Sequence, residues 1–115
     1  MYVAIIGSRT FKDYQLLKDK CLRVLSKSKN VTIISGGAKG ADTLAERFAT
    51  EFKLPMVVIR ADWQKHGRSA GMIRNNQVLS FATHVIAFWN GESKGTSNMI
   101  TNAINQKKEI RIVRF

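Results

Sequence analysis

Val31-Thr32-Ile33-Ile34-Ser35-Gly36-Gly37-Ala38-Lys39-Gly40-Ala41-Asp42-Thr43-Leu44-Ala45-Glu46-Arg47-Phe48 decides the fold. A short β-branched run is followed at once by a glycine-rich turn. Apolar residues then recur at helical spacing, at Ala41, Leu44, Ala45, Phe48 and Phe52. A strand with so little polar alternation is covered on both faces, as in parallel sheets flanked by helices. The same order repeats outward in both directions. Tyr2–Ile6, Met56–Ile59, His84–Phe88 and Ile110–Val113 are further nearly continuous apolar segments. Helices are predicted over Asp13–Ser26, Ala41–Phe52, Ala70–Phe81 and Thr96–Gln106. This alternation implies an α/β fold, a Rossmann-like three-layer sandwich with a five-stranded parallel sheet and right-handed crossovers. Pro55, the only proline, stands just before the third strand. The 115 residues contain no linker, repeat or low-complexity tract, so one domain over 1–115 is expected.

Composition sets the outer bounds. Hydrophobic residues at 44% and charged residues at 23% exclude a mainly disordered chain, and no apolar run approaches a membrane span. Met1–Gly7 is too short and lacks the basic flank of a secretory signal, so a cytoplasmic location is expected, with no membrane partner. Cys21 is the only cysteine and the two histidines are far apart, which predicts neither disulfide nor metal site, and no cofactor. The net charge of +11, from 19 Lys and Arg against 8 Asp and Glu, favours anionic partners: a nucleotide, nucleic acid or an acidic protein surface.

The glycines localise that preference. Gly7, Gly36, Gly37, Gly40, Gly67, Gly71, Gly91 and Gly95 all fall at or near strand-to-helix junctions, and the opposite junctions carry none. In an open parallel sheet those junctions share the carboxyl edge, where ligands bind at the topological switch point. Helix C-caps would have placed some glycines on the other edge. Ser35–Asp42 and Asn90–Ser97 have the composition of phosphate cradles, each leading into a helix N-terminus. Neither matches a Walker loop or Gly-x-Gly-x-x-Gly.

Candidate ligand residues follow from these loops: Gly7, Ser8 and Arg9 after the first strand, and Ser35, Gly36, Gly37, Lys39, Gly40 and Asp42 after the second. Asp62, Trp63 and His66 follow the third strand, Arg74 and Asn75 lie on the next helix, and Trp89, Gly91, Ser93, Lys94, Gly95 and Thr96 follow the fourth. Arg74 shares a helical sector with Ala70, Phe81 and the adjacent Val78. A guanidinium in an apolar stripe needs an anion or an ion-pair partner. Met72 and Leu79 lie on the reverse side, so this helix is expected to bury two faces, the second against another subunit of a homo-oligomer. Other uses compete: capping for Asp42, core packing for Trp89, surface solvation for Arg9 and His66.

Four segments together resemble a known family. Ile6-Gly7-Ser8-Arg9-Thr10-Phe11, Ser35–Asp42, Ala61-Asp62-Trp63 with His66-Gly67, Ala70-Gly71 and Arg74-Asn75, and Phe88-Trp89-Asn90-Gly91 with Ser93–Thr96 are similar to the YspA-related branch of the SLOG superfamily of bacteria and phages. The resemblance spans nearly the whole chain. It implies a Rossmann-like domain that senses or processes nucleotide-derived ligands. That superfamily includes the LOG phosphoribohydrolases and the single-strand-binding DprA. Arg74 resembles an arginine of the LOG enzymes, and Gly95-Thr96 resembles the Gly-Thr of their phosphate loop. The LOG catalytic glutamate falls at Met99, which cannot stabilise the positive charge that glycosidic cleavage builds on a ribose. Asp42 and Arg74 are then the candidates for catalysis, with Asp62 or Glu92 as other possible carboxylates.

Three functions are carried forward: binding of a nucleotide or nucleotide-derived small molecule at the carboxyl edge, cleavage of an N-glycosidic bond in such a nucleotide, and DprA-like binding of single-stranded nucleic acid. Arg9, Lys12, Lys39, Lys65, Arg68, Arg74 and Lys94 lie in or beside the glycine-bearing loops. The other cations, among them Lys18, Arg23, Lys27, Lys29, Lys107, Lys108, Arg111 and Arg114, are spread over helices and the last strand.

Overall fold

The computed structural model describes residues 1–26 and 28–115; Lys27 lies outside the described residues. Five strands, β1 (Tyr2–Gly7), β2 (Thr32–Ser35), β3 (Met56–Val58), β4 (His84–Trp89) and β5 (Glu109–Arg114), form one all-parallel sheet in the order β3-β2-β1-β4-β5. Four long helices connect them: α1 (Tyr14–Leu25), α2 (Ala41–Glu51), α4 (Ala70–Phe81) and α5 (Lys94–Asn105). A single turn, α3 (Trp63–His66), and a short 3-10 segment (Gly67–Ser69) precede α4. This is the α/β, Rossmann-like architecture the sequence predicts.

Alternation along β1 organises the three layers. Val3 and Ile5 point to one face and join Ile33, Ile86 and Phe88 beneath α1 and α2, through Leu17, Cys21, Ala45 and Phe48. Ala4 and Ile6 point to the other and join Ile34, Val85 and Ala87 beneath α4 and α5, through Val78, Leu79, Met99, Ile100 and Ala103. The chain grows outward from β1 to β3, then crosses back to place β4 on the other side of β1. The helices change face at the same step, as crossovers of one hand require. The switch point therefore lies between β1 and β4.

Two expectations need correction. Asp62–Gly67 reads as loop in the sequence, but Asp62 caps a helical turn over Trp63–His66, its Oδ1 accepting from the Lys65 N–H at 3.1 Å. The burial of α4 also differs from the stripe proposed for it. Ala70, Val78 and Leu79 are buried, whereas Phe81 is 57% and Met72 69% exposed. The helix meets the sheet between Val78 and Leu79, so Leu79 packs in the same core as Val78. Arg74 is left on the margin of the buried face, not within it. Leu79 therefore marks no separate face on this helix.

Candidate functional site

A cleft of about 430 Å³ opens at the switch point, between the loops that follow β1, β2 and β4. Gly7, Ser8, Arg9, Gly36, Asp42, Arg74, Asn75, Ser93, Gly95 and Thr96, all candidates from the sequence, line it. Ile6, Thr10, Ala38, Val78, Asn90 and Met99 complete the wall.

Close backbone contact fixes the floor. Gly40 has φ +79°, and a Cβ there would stand 2.6 Å from the Arg9 carbonyl oxygen and nearer still to that of Ser8. Only glycine lets the start of α2 press so closely against the loop after β1. The Ala41 N–H donates to the Ser8 carbonyl at 3.4 Å, and the Ser8 N–H donates to the Phe88 carbonyl at 3.1 Å. The loop after β1, the start of α2 and strand β4 are thus tied at Ser8. Its side chain is treated differently: the residue is 2% exposed, and its Oγ has no hydrogen-bond partner among the described residues. A buried hydroxyl without a partner costs about 1–3 kcal/mol.

The second loop is held by the first turn of α2. Asp42 Oδ2 accepts from the Ala38 N–H at 3.1 Å, and Thr43 Oγ1 donates to the Ala38 carbonyl at 2.9 Å. Ser35, fully buried, donates to the Asp42 carbonyl at 3.1 Å and accepts from the Gly37 N–H at 3.2 Å. Ser35 thus shapes the cradle from behind and does not line it.

Arg74 reaches across from α4. Its Nη1 donates to the Gly36 carbonyl, and its Nε to Asn75 Oδ1 at 2.8 Å. No hydrogen bond among the described residues takes its Nη2. Gly36 separates Arg74 from Asp42: a Cβ there would lie 2.9 Å from both Arg74 Nη1 and Asp42 Oδ2. Burial pushes the Asp42 carboxyl above its ordinary value, against the opposing pull of the Ala38 N–H and of Arg74. Burial likewise draws Arg74 downward, opposed by Asp42 and aided by the neighbouring Arg9.

The fourth wall is the N-terminus of α5. Asn90 Oδ1 accepts from the N–H groups of Glu92 and Ser93, both at 2.9 Å, and the Ser93 Oγ caps the helix at the Thr96 N–H, 3.4 Å away. This helix begins at Lys94, two residues before the predicted start, so Gly95 and Thr96 sit in its first turn. Met99, one turn on, is a nearly buried apolar part of the wall.

Other candidates stand elsewhere on this edge. Gly37, Lys39 and Trp63 line an adjoining groove of about 520 Å³, which shares Arg9, Gly36, Ala38 and Arg74 with the cleft. Asp62 and His66 border a third hollow of about 200 Å³, again with Arg74. Gly91 and Trp89 line none of these. The Trp89 indole donates to the Ser93 carbonyl at 3.0 Å and carries the Arg114 guanidinium at 5.1 Å from its ring centroid. It braces the loop after β4, and no free face is presented to the cleft. Lys94 is exposed outside the three hollows. Sequence reasoning missed Arg60, whose Nη1 donates to the Gly37 carbonyl at 3.2 Å. Its position directly after the third strand was the available signal. Asn90 was missed too, though its loop was singled out. Among the described residues, no group of His, Cys, Asp and Glu could hold a metal ion, and no helix is long and apolar enough to cross a membrane.

The chain is similar to the Gene 61 protein of Mycobacterium phage D29, with 35% identity over 98% of this chain and 94% of that one. Its fold is similar to that of DNA processing protein A (DprA) from Streptococcus pneumoniae, with a TM-score of 0.80 and 17% identity over 99% of this chain. The chain spans half the length of that protein. It also resembles the DNA processing protein A of Helicobacter pylori, described as having a unique single-stranded DNA binding mode, with a TM-score of 0.74 and 20% identity. That match covers 97% of this chain and 64% of that one. At these identities the structural likeness concerns the fold alone. The sequence pattern of one family matches residues 1–66, which carry the loops after β1 and β2 and the whole of α3. Together with the phage relative, this places the chain in the YspA, cpYpsA-related SLOG family.

Proposed function

We propose that the chain binds a nucleotide or nucleotide-derived ligand in the switch-point cleft. The observation that carries this reading is the buried Ser8 hydroxyl, unpartnered in the wall of a cleft also lined by Arg74 and the first turn of α5. A phosphoryl oxygen would accept from Ser8 Oγ and from the spare Nη2 of Arg74, and would meet the positive end of the α5 dipole. Membership of the SLOG family supports the same ligand class. Ile6, Val78 and Met99 offer an apolar surface to the rest of the molecule.

Cleavage of an N-glycosidic bond is a second reading, favoured by the raised Asp42 carboxyl inside the cleft. A carboxyl whose hold on its proton is strengthened by burial is better suited than an ordinary one to general-acid work on a departing base. Met99 supplies no second carboxylate, so binding is the stronger reading. Titration calorimetry with purine and pyrimidine nucleoside monophosphates tests it. Wild type should bind at least one, and Arg74→Ala should lose roughly tenfold or more of that affinity. Absence of binding to every mononucleotide would overturn it. Chromatography of the same mixtures would show a freed base if the cleft cleaves, with Asp42→Asn abolishing it.

A further inference from the structure

The adjoining groove has its own chemistry. Arg9, Lys39, Arg60 and Arg74 line it, and no Asp or Glu does. Asp42 offsets Arg74 from the cleft side, and Glu46 stands 4.0 Å from Arg60 behind the groove. Lys39 and Arg9 have no ion-pair partner among the described residues, which leaves the groove strongly cationic. Beside these charges Trp63 is 55% exposed, and a Cβ on Gly71 of α4 would meet its Cη2 at 3.5 Å. Nothing in the core requires that indole. An exposed flat ring beside cations suits a second aromatic group attached to phosphate.

Cleft and groove also share a boundary. Gly36, Ala38 and the Arg74 side chain belong to both, so one guanidinium faces the two spaces at once. Their volumes, about 430 and 520 Å³, each suit one ring-bearing half of a molecule.

We propose that the groove is a second subsite, and that the ligand is a single molecule with two nucleoside-like halves joined by two or more phosphates. This rests on the mononucleotide reading of the cleft and extends it. One half occupies the cleft, the phosphate bridge lies across Arg74 between Arg9 and Arg60, and the second ring stacks on Trp63. A single strand of nucleic acid is less well served, because it needs successive stacking faces and this edge exposes one indole.

Calorimetry on the full chain with matched pairs tests the proposal: adenosine monophosphate against diadenosine diphosphate, the guanosine counterparts, and adenosine diphosphate ribose. The bridged molecule of the preferred base should bind with one site per chain, roughly tenfold or more tighter than its monophosphate. Trp63→Ala and Arg60→Ala, both on exposed positions, should each cut that ratio severalfold, and the double variant should bring it close to one. A bridged ligand no tighter than its monophosphate, or a ratio untouched in the double variant, would overturn the second subsite while the mononucleotide reading stands. Failure of every nucleotide to bind would overturn both. Affinity for oligothymidylates that climbs with length and falls steeply with salt, above that for any bridged ligand, would replace this proposal with a nucleic-acid groove.

Discussion

Gly36→Ala puts one methyl group between the two charged side chains of the cleft. The residue has no positive φ, so its backbone tolerates alanine, and the effect must come through contact. The new Cβ would lie 2.9 Å from Arg74 Nη1, 2.9 Å from Asp42 Oδ2 and 3.1 Å from Arg74 Cδ. Each must retreat by about half an ångström or more to reach ordinary van der Waals separation. The softest response is rotation of the guanidinium away from the Gly36 carbonyl. That breaks a charge-assisted hydrogen bond worth about 1.5–3 kcal/mol and moves the cation off its position in the cleft. A phosphate contact through Arg74 loses a similar amount, which corresponds to roughly 10- to 150-fold weaker nucleotide binding. Stability should fall by about 1–3 kcal/mol, the cost of that hydrogen bond less what rehydration of the freed guanidinium recovers. Paired calorimetry and chemical denaturation read both quantities. If Arg74→Ala abolishes binding while Gly36→Ala leaves both affinity and stability intact, Arg74 does not act from its place against Gly36, and the account of the cleft fails.

Gly40→Ala should behave differently, since its φ is +79° and the methyl would meet the Ser8 and Arg9 carbonyls, which cannot move aside. A loss of about 2–4 kcal/mol or more in urea denaturation is expected, and a shift below 1 kcal/mol would contradict the contact. For Asp42, burial raises the folded-state value above 3.8, so the folded chain holds this proton more tightly than the unfolded chain does. Stability from the protonated group is full below about pH 4 and is lost as pH rises through the raised value. Asp42→Asn should therefore match wild type in acid and exceed it progressively toward neutrality; a pH-independent difference would refute the shift. The Tyr14 hydroxyl, pushed up to about 12 by burial and by its 2.9 Å hydrogen bond to Glu51, should appear in ultraviolet titration as a late-ionising tyrosine. Glu51→Gln should bring that transition to lower pH.

Short, nearly continuous apolar runs made the sheet legible; β1, β2 and β4 are largely buried, while the edge strands β3 and β5 keep the pattern although much of their surface is exposed. The predicted bounds of α4, Ala70–Phe81, are those observed. Its orientation was not readable, since Ala70, Val78, Leu79 and Phe81 are all apolar and only the sheet beneath decides which are covered. Glycine placement located the edge where ten of the candidate residues meet in one cleft. It could not separate Ser8, whose hydroxyl is buried there, from Ser35, whose hydroxyl is consumed by Asp42 and Gly37. Both tryptophans lie on that edge and core packing competes for Trp89 alone, yet its actual partners, Ser93 and the distant Arg114, leave no mark in the sequence. α3 escaped notice because one capped turn carries no periodicity.

The crossing from β3 back to β4 divides the chain into two halves, and the cleft is assembled from both. Ser8 and Asp42 come from the first, Arg74 and Thr96 from the second. A ligand held by all four acts as a stitch across the centre of the sheet, absent from the unfolded chain. By mass action it adds about 2.7 kcal/mol to global stability at a hundred times its dissociation constant. Cooperativity of unfolding should then sharpen with occupancy, so a thermal shift reports the joining of the two halves as well as binding itself.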